Sequence, residues 1–181
     1  MGFDLYDKNG NIITQHNLQD KGSWCIHGLS KEESFIEKFG QHFGVLKNPA
    51  KLVDKFAPDL FDWRDNRLAD LKTQNTPFFT SGRYNVDPQL AVTFNLKDVK
   101  RYRSLYPEID IYFWLDWIAV RWGDIEVQPM EAVYFIPFHI LLNVVQTAPI
   151  HSYLQRKTDT MGNAKDSYVL DLNDCRFTRI F

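Results

Sequence analysis

The chain has 181 residues, 44% of them hydrophobic and 15% aromatic, with a formal net charge of −2. The length is enough for one full hydrophobic core and tight for two, and the composition excludes a disordered chain. So small a net charge argues against nucleic-acid binding by bulk charge alone, for which a clearly basic surface is usual.

Met1 to Gln15 is polar and mixed, without the apolar core of a secretory leader. Cys25 and Cys175 lie far apart in sequence and read as free thiols of a reducing compartment, so the expected location is cytoplasmic and not secreted. The longest apolar stretch, Ala132 to Val145, is interrupted by Pro137, His139 and Asn143, and no membrane span is expected.

Phe3 to Thr14 predicts two short strands around an Asn9-Gly10 turn. The run from Asp7 to Asn11 hints at a calcium loop, but Ile12 stands where the turn glycine belongs and Leu18 where the glutamate belongs. Ser30 is a good N-cap for a helix with Glu32 and Glu33 in its first turn and Phe35, Ile36 and Phe39 on an apolar face, ending near Gly40 or Gly44. Pro49 to Phe56 predicts a short second helix, and Leu60 to Thr73 a hairpin turning at Asp65-Asn66. Thr76 to Gln89, broken by Pro77, Gly82 and Pro88, reads as an aromatic loop. A strand over Leu90 to Phe94 follows, then a helix over Leu96 to Leu105 with Val99, Tyr102 and Leu105 inward, stopped by Pro107. Ile109 to Val120, almost uninterrupted apolar sequence, is the expected central strand. Pro129 precedes a strand at Ala132 to Ile136, and Pro137 suits the first turn of a helix through Val145. After a polar segment, a strand over Ser167 to Leu172 and a short element over Phe177 to Phe181 close the chain. No repeat, low-complexity stretch or linker interrupts this order, so one α/β domain over residues 1–181 is the simplest account.

The hairpin is where the chemistry gathers. With its turn centred between Asp65 and Asn66, Asp59 falls opposite Lys72, and Asp70 lies two residues from Lys72 on the same face. Two carboxylates suit Mg²⁺, a hard cation that prefers oxygen, and the Leu71 carbonyl is a further ligand. Lys72 can contact a phosphate or orient an attacking water, while the metal polarises the phosphoryl oxygen. The alternative is structural: Asp59 caps a turn, Asp70 pairs with Arg67 or Arg64, and Lys72 is a solvated edge lysine.

Pro58-Asp59 and Asp70-Leu71-Lys72 resemble the two halves of the PD-(D/E)XK nuclease superfamily motif. The order over about Ser30 to Val120 is similar too: a helix with an acidic residue, a hairpin, a helix, then a parallel strand. The resemblance implies the restriction-endonuclease-like fold, a central mixed β-sheet flanked by helices with a catalytic β-hairpin. It implies Asp59, Asp70 and Lys72 as catalytic residues, and Asp59, Asp70 and the Leu71 carbonyl as ligands of Mg²⁺, with Mn²⁺ as substitute. In many members an acidic residue of the first helix joins the metal; Glu37 takes that part here, with Glu33 as fallback. Gln74, next on the strand face of Asp70 and Lys72, resembles the polar residue that some members carry just after the motif. The implied activity is metal-dependent endonucleolytic hydrolysis of DNA phosphodiester bonds, leaving 5′-phosphate ends, of restriction, homing or structure-specific type.

Other residues suit nucleic-acid contact. Arg83 and Tyr84 lie with Thr80 and Ser81 in a polar loop after the motif; Lys97, Lys100 and Arg101 share a face of the next helix, and Arg103 points elsewhere. His151, Arg156, Lys157 and Lys165 make a second basic region near Gly162-Asn163. Zinc-ligand spacing, the serine-hydrolase elbow and the nucleotide-binding P-loop are all missing from the sequence. Cutting both strands of a duplex needs two active sites, which points to a homodimer; RNA stays open as a substrate. The rival readings are a noncatalytic nucleic-acid-binding module on the same fold, and a protein-interaction module using Trp114, Trp117 and Trp122. Neither rival needs a Mg²⁺ site.

Overall fold

The computed structural model describes residues 4–13, 31–152 and 166–181. Cys25, Ser30, Arg156, Lys157, Gly162, Asn163 and Lys165 lie outside the described residues. In chain order the elements are β1 (Leu5–Asp7), β2 (Ile12–Ile13), α1 (residues 31–43), β3 (Val45–Lys47), β4 (Leu60–Asp62), β5 (Arg67–Gln74), β6 (Ala91–Asn95), α2 (Leu96–Leu105), β7 (Asp110–Asp116), β8 (Ala119–Trp122), β9 (Ile125–Glu126), β10 (Glu131–Pro137), α3 (Phe138–Val145), β11 (Ile150–His151), β12 (Ser167–Asp171) and β13 (Thr178–Arg179).

A six-stranded sheet in the order β13-β10-β7-β5-β4-β3 runs through the molecule. Its β5 and β7 are parallel and its other pairs antiparallel, which makes the sheet mixed. Parallel neighbours need a long crossover, and here the chain between β5 and β7 supplies β6 and α2. Two smaller antiparallel sheets, β2-β1-β8-β9 and β11-β12-β6, complete a mixed α/β architecture.

Alternation along the central strands sorts the side chains into two cores. Ala69 and Leu71 of β5, Tyr112 and Trp114 of β7 and Val133 of β10 meet Phe35 and Phe39 of α1 on one face. Ile111, Phe113 and Leu115 of β7 meet Val99 and Tyr102 of α2, Phe138 and Leu141 of α3, and the small-sheet residues Phe94 and Leu170 on the other. Asp70, Lys72 and Gln74 therefore point to the face that α2 covers.

Several expected elements change in detail. The second helix shrinks to a 3₁₀ turn, Pro49–Leu52, because the Asn48 side chain accepts from Ala50 N and donates to Pro58 O, fixing an irregular path. The long central strand stops at Asp116, where Trp117 N turns to Met130 O and Ile118 N to Asn75 O; the chain resumes as β8 in another sheet. Pro137 ends β10 and precedes α3 instead of lying inside it. Leu105 faces solvent, while Val99 and Tyr102 are buried as expected. In α1 the turn Ile36–Gly40 is a π-helix, and the helix ends at Gly44 with φ +75, where a Cβ would lie 2.5 Å from the Arg64 side chain. Among the described residues no helix is long and apolar enough to cross a membrane.

Phe35 is fully buried and its ring meets Phe39, Phe43, Tyr112 and Trp114, so it is the main tie between α1 and the sheet. Phe35→Ala should lower the unfolding free energy by about 3–5 kcal/mol, as large core truncations do. Urea denaturation followed by tryptophan fluorescence checks this, and a loss within ordinary surface values would remove Phe35 from that part.

Candidate active site

The hairpin forms with a register two residues away from the expected one. Leu60 faces Ala69, Phe61 faces Leu68 and Asp62 faces Arg67. Asp62 Oδ1 accepts from Arg64 N and Asp65 N, and Asn66 has a positive φ, so the turn closes over Trp63 to Asn66. A shift of two preserves the facing of every side chain. One step beyond the last pair, Asp59 comes level with Asp70 instead of Lys72.

Backbone geometry then holds Asp59 in place. Asn48 N donates to Asp59 O at 3.0 Å, and Asn48 Nδ2 to Pro58 O at 2.8 Å, both within the buried root of the preceding loop. The Asp59 carboxylate accepts from Leu71 N at 3.2 Å through Oδ2. Its Oδ1 pairs with Lys51, whose ammonium also lies 2.7 Å from Glu32 Oε1. Burial works against the charge on Lys51, but Asp59 and Glu32 outweigh it and hold the ammonium above the ordinary lysine value.

On β5, Lys72 Nζ lies 2.7 Å from Asp70 Oδ2 and 2.7 Å from Asp98 Oδ2 of α2. Its ammonium also sits over the rings of Phe94 and Tyr102. Arg101 is 3.8 Å from Asp98 and 4.0 Å from Asp70, and donates to the Tyr102 hydroxyl at 2.6 Å. Burial raises the Asp70 carboxyl above the usual aspartate value; Asp59 adds to the rise and Lys72 opposes it. Burial also opposes the charge on Lys72, yet Asp70, Tyr102 and Asp98 keep the ammonium well above the ordinary lysine value. Lys72 is thus a held cation, not a solvated edge lysine. Arg67, the structural partner considered for Asp70, pairs with Asp110 at 3.0 Å.

The fold brings Asp59, Asp70 and Lys72 together and adds Glu32, Lys51, Asp98, Arg101 and Tyr102. Glu37 is exposed on α1 and takes no part in these pairs; Glu33 faces Lys47 at 3.6 Å. Gln74 donates to Thr76 O at 3.0 Å and lines, with Lys72, Thr93, Asn95 and Phe78, a groove of about 380 Å³. Arg83 is exposed against the rings of Phe78 and Tyr84, and the Tyr84 hydroxyl meets His151 Nδ1 at 2.8 Å. Lys97 and Lys100 are exposed on α2, whereas Arg101 turns toward the carboxylates. Cys175 is a free, exposed thiol.

Glu32 carried a signal in its spacing: it precedes the buried Phe35 by three, so the two share a helix face, which Glu37 does not. Lys51 and Asn48 lie in an irregular loop, where no periodicity points to them. Compared with known proteins, the chain matches no family model, no curated protein and no solved structure.

Ionising Asp70 in the folded chain is unfavourable relative to the unfolded chain, so its carboxylate removes stability above the ordinary aspartate value of 3.8 and has no effect below it. Asp70→Asn should therefore raise Tm near neutral pH, with Asp98 still pairing Lys72. The gain should vanish as pH falls through the aspartate range. Thermal unfolding of both proteins across pH checks the sign; a lower Tm for the variant at neutral pH would contradict it.

Proposed function

We propose that this protein is a metal-dependent endonuclease of the PD-(D/E)XK type on a restriction-endonuclease-like fold, hydrolysing DNA phosphodiester bonds to leave 5′-phosphate ends. One observation carries the reading. Asp59, Asp70 and Lys72 converge at the β4–β5 hairpin, and across Lys51 from Asp59 the buried Glu32 Oε2 has no hydrogen-bond partner. Such an oxygen is costly in a fold that needs only stability, and it suits a cation.

The donor set fits a hard divalent ion. Asp59, Asp70 and the Leu71 carbonyl would hold it, with Glu32 as the first-helix acid in place of Glu37. Among the described residues no three His, Cys, Asp or Glu side chains group as a metal cage. Mg²⁺ commonly uses one or two carboxylates and keeps waters and substrate phosphates as its other ligands. When bound, the ion would polarise the phosphoryl oxygen and lower the pKa of a bound water.

The chain's own residues supply the rest. Lys72, held charged, donates to a phosphate oxygen and stabilises the negative charge that grows during in-line attack. It does not serve as a general base while Asp70 and Asp98 keep its proton in place. Arg101 and Asp98 fix its position from α2. Asn48 and Leu71 N orient Asp59. The groove past Gln74 leads toward Phe78, and Arg83, Tyr84, Lys97 and Lys100 are candidate contacts for the flanking strand. Two copies would cut both strands of a duplex.

Plasmid, linear duplex, branched and single-stranded DNA should be incubated with Mg²⁺ or Mn²⁺ and each protein. Wild type should cut at least one of them only with metal, and Lys72→Ala should be slower by at least about 100-fold. No cutting together with no Mg²⁺ binding by calorimetry would refute the nuclease reading. A second comparison chooses the helix acid. Glu32→Gln should weaken Mg²⁺ binding by about 10-fold or more, while Glu37→Gln leaves it unchanged; the reverse would restore Glu37 to the site.

A further inference from the structure

We propose that the loop from Pro49 to Ala57 is an apolar wedge that enters the base stack of DNA beside the phosphate to be cut. The inference rests on the nuclease reading and adds the form of substrate it acts on: a duplex step opened by the protein.

Leu52, Val53 and Phe56 are 85%, 92% and 62% exposed, the most open group of large apolar side chains in this loop. Single exposed apolar residues need no explanation, but three within five residues of one loop call for a partner. Their backbone is not slack. Phe56 N donates to Asp54 Oδ1 at 2.9 Å, Ala57 N to Asp54 O at 3.0 Å, and Val53 N to Ala50 O at 3.1 Å. At the root, Ala57 and Asn48 are buried and Asn48 binds Pro58 O. The tip is therefore presented in a fixed shape, which spares the ordering entropy of a loose loop.

Two links tie this prong to the catalytic cluster. Lys51, inside the loop, pairs with Asp59 and Glu32. Arg101, beside Asp70 and Asp98, donates to Phe56 O at 3.4 Å. A strand lying on Asp59 and Asp70 thus meets the tip within the neighbouring steps. The chemistry of the tip fits DNA. Lys55 Nζ lies 5.0 Å from the Phe56 ring centroid, so a cation accompanies the apolar side chains. Apolar residues that wedge between base steps work together with phosphate-binding cations in this way. A second copy of the chain is a weaker fit, since a stable protein interface takes about 20–30 residues a side, and three prominent side chains are far from that.

The test uses a short duplex carrying 2-aminopurine, whose fluorescence rises when it unstacks, and Ca²⁺ to keep the complex uncut. Binding is followed in parallel by anisotropy of an end label. Wild type should bind and raise the 2-aminopurine signal severalfold. The triple variant Leu52→Ala, Val53→Ala, Phe56→Ala, altered only at exposed positions, should lose the rise and about 10-fold in affinity, the scale of one lost stacking contact. On a duplex mismatched at the probed step, already unstacked, its affinity should recover. Binding or metal-dependent cutting by wild type without a rise in signal would overturn the wedge and leave the nuclease reading intact. Failure to bind any DNA would overturn both. Self-association of wild type that the triple variant abolishes, seen by sedimentation without DNA, would assign the loop to protein contact and overturn the wedge.

Discussion

The structure turns on a buried ion cluster carried by a central strand. Lys72 and Asp70 occupy the face of β5 that α2 covers, where an aliphatic pair would pack more simply. An ammonium is kept in such a place only when carboxylates surround it, because loss of hydration must be offset locally. Asp70 does so from β5 and Asp98 from α2, and α2 lies in the crossover that the parallel strands β5 and β7 need. The position of a helix and the topology of the sheet are thus bound to the charge of one lysine.

The second face of the sheet has an opposite character and an equally specific task. Its core of Phe35, Phe39, Tyr112 and Trp114 is aromatic and dry, and it anchors α1. That anchor places the helix turn that carries Glu32. Lys51 then joins Glu32 to Asp59 from the loop before β4. Apolar packing on one face and ion pairing at the loop are coupled through a single helix turn. A change at Phe35 would be felt at a carboxylate it does not touch.

Much of this was legible in the residues, and the failures have physical causes. The bounds of α2 agree with the reading because Pro107 and the inward spacing of Val99 and Tyr102 are local signals. The face shared by Asp70, Lys72 and Gln74 followed from strand alternation, which a register error of two cannot disturb. The register itself depended on the Asp62 side chain, which folds back on Arg64 N and Asp65 N and moves the turn. Arg101 was legible as part of a basic helix face and Asp98 was not singled out, because their partner on β5 lies far away in sequence, and spacing cannot report it. The first-helix acid, read as Glu37 with Glu33 as fallback, is a different case: Glu32 shares the phase of Phe35 and Phe39, and Glu37 is exposed.

A stability argument alone leaves this arrangement poorly explained. Buried ion clusters are weak stabilising devices, and apolar residues of similar volume often replace them without loss. Here the cluster also leaves Glu32 Oε2 without a donor, while the adjoining loop exposes Leu52, Val53 and Phe56. Both departures from good packing fall within the stretch from Asn48 to Lys72, together with Glu32 and the α2 residues that face it. Local rules tend to be broken where a protein acts. The cluster supplies fixed charge, and the loop beside it supplies a rigid apolar edge. A polyanion with a stacked apolar interior is the kind of partner that would use both.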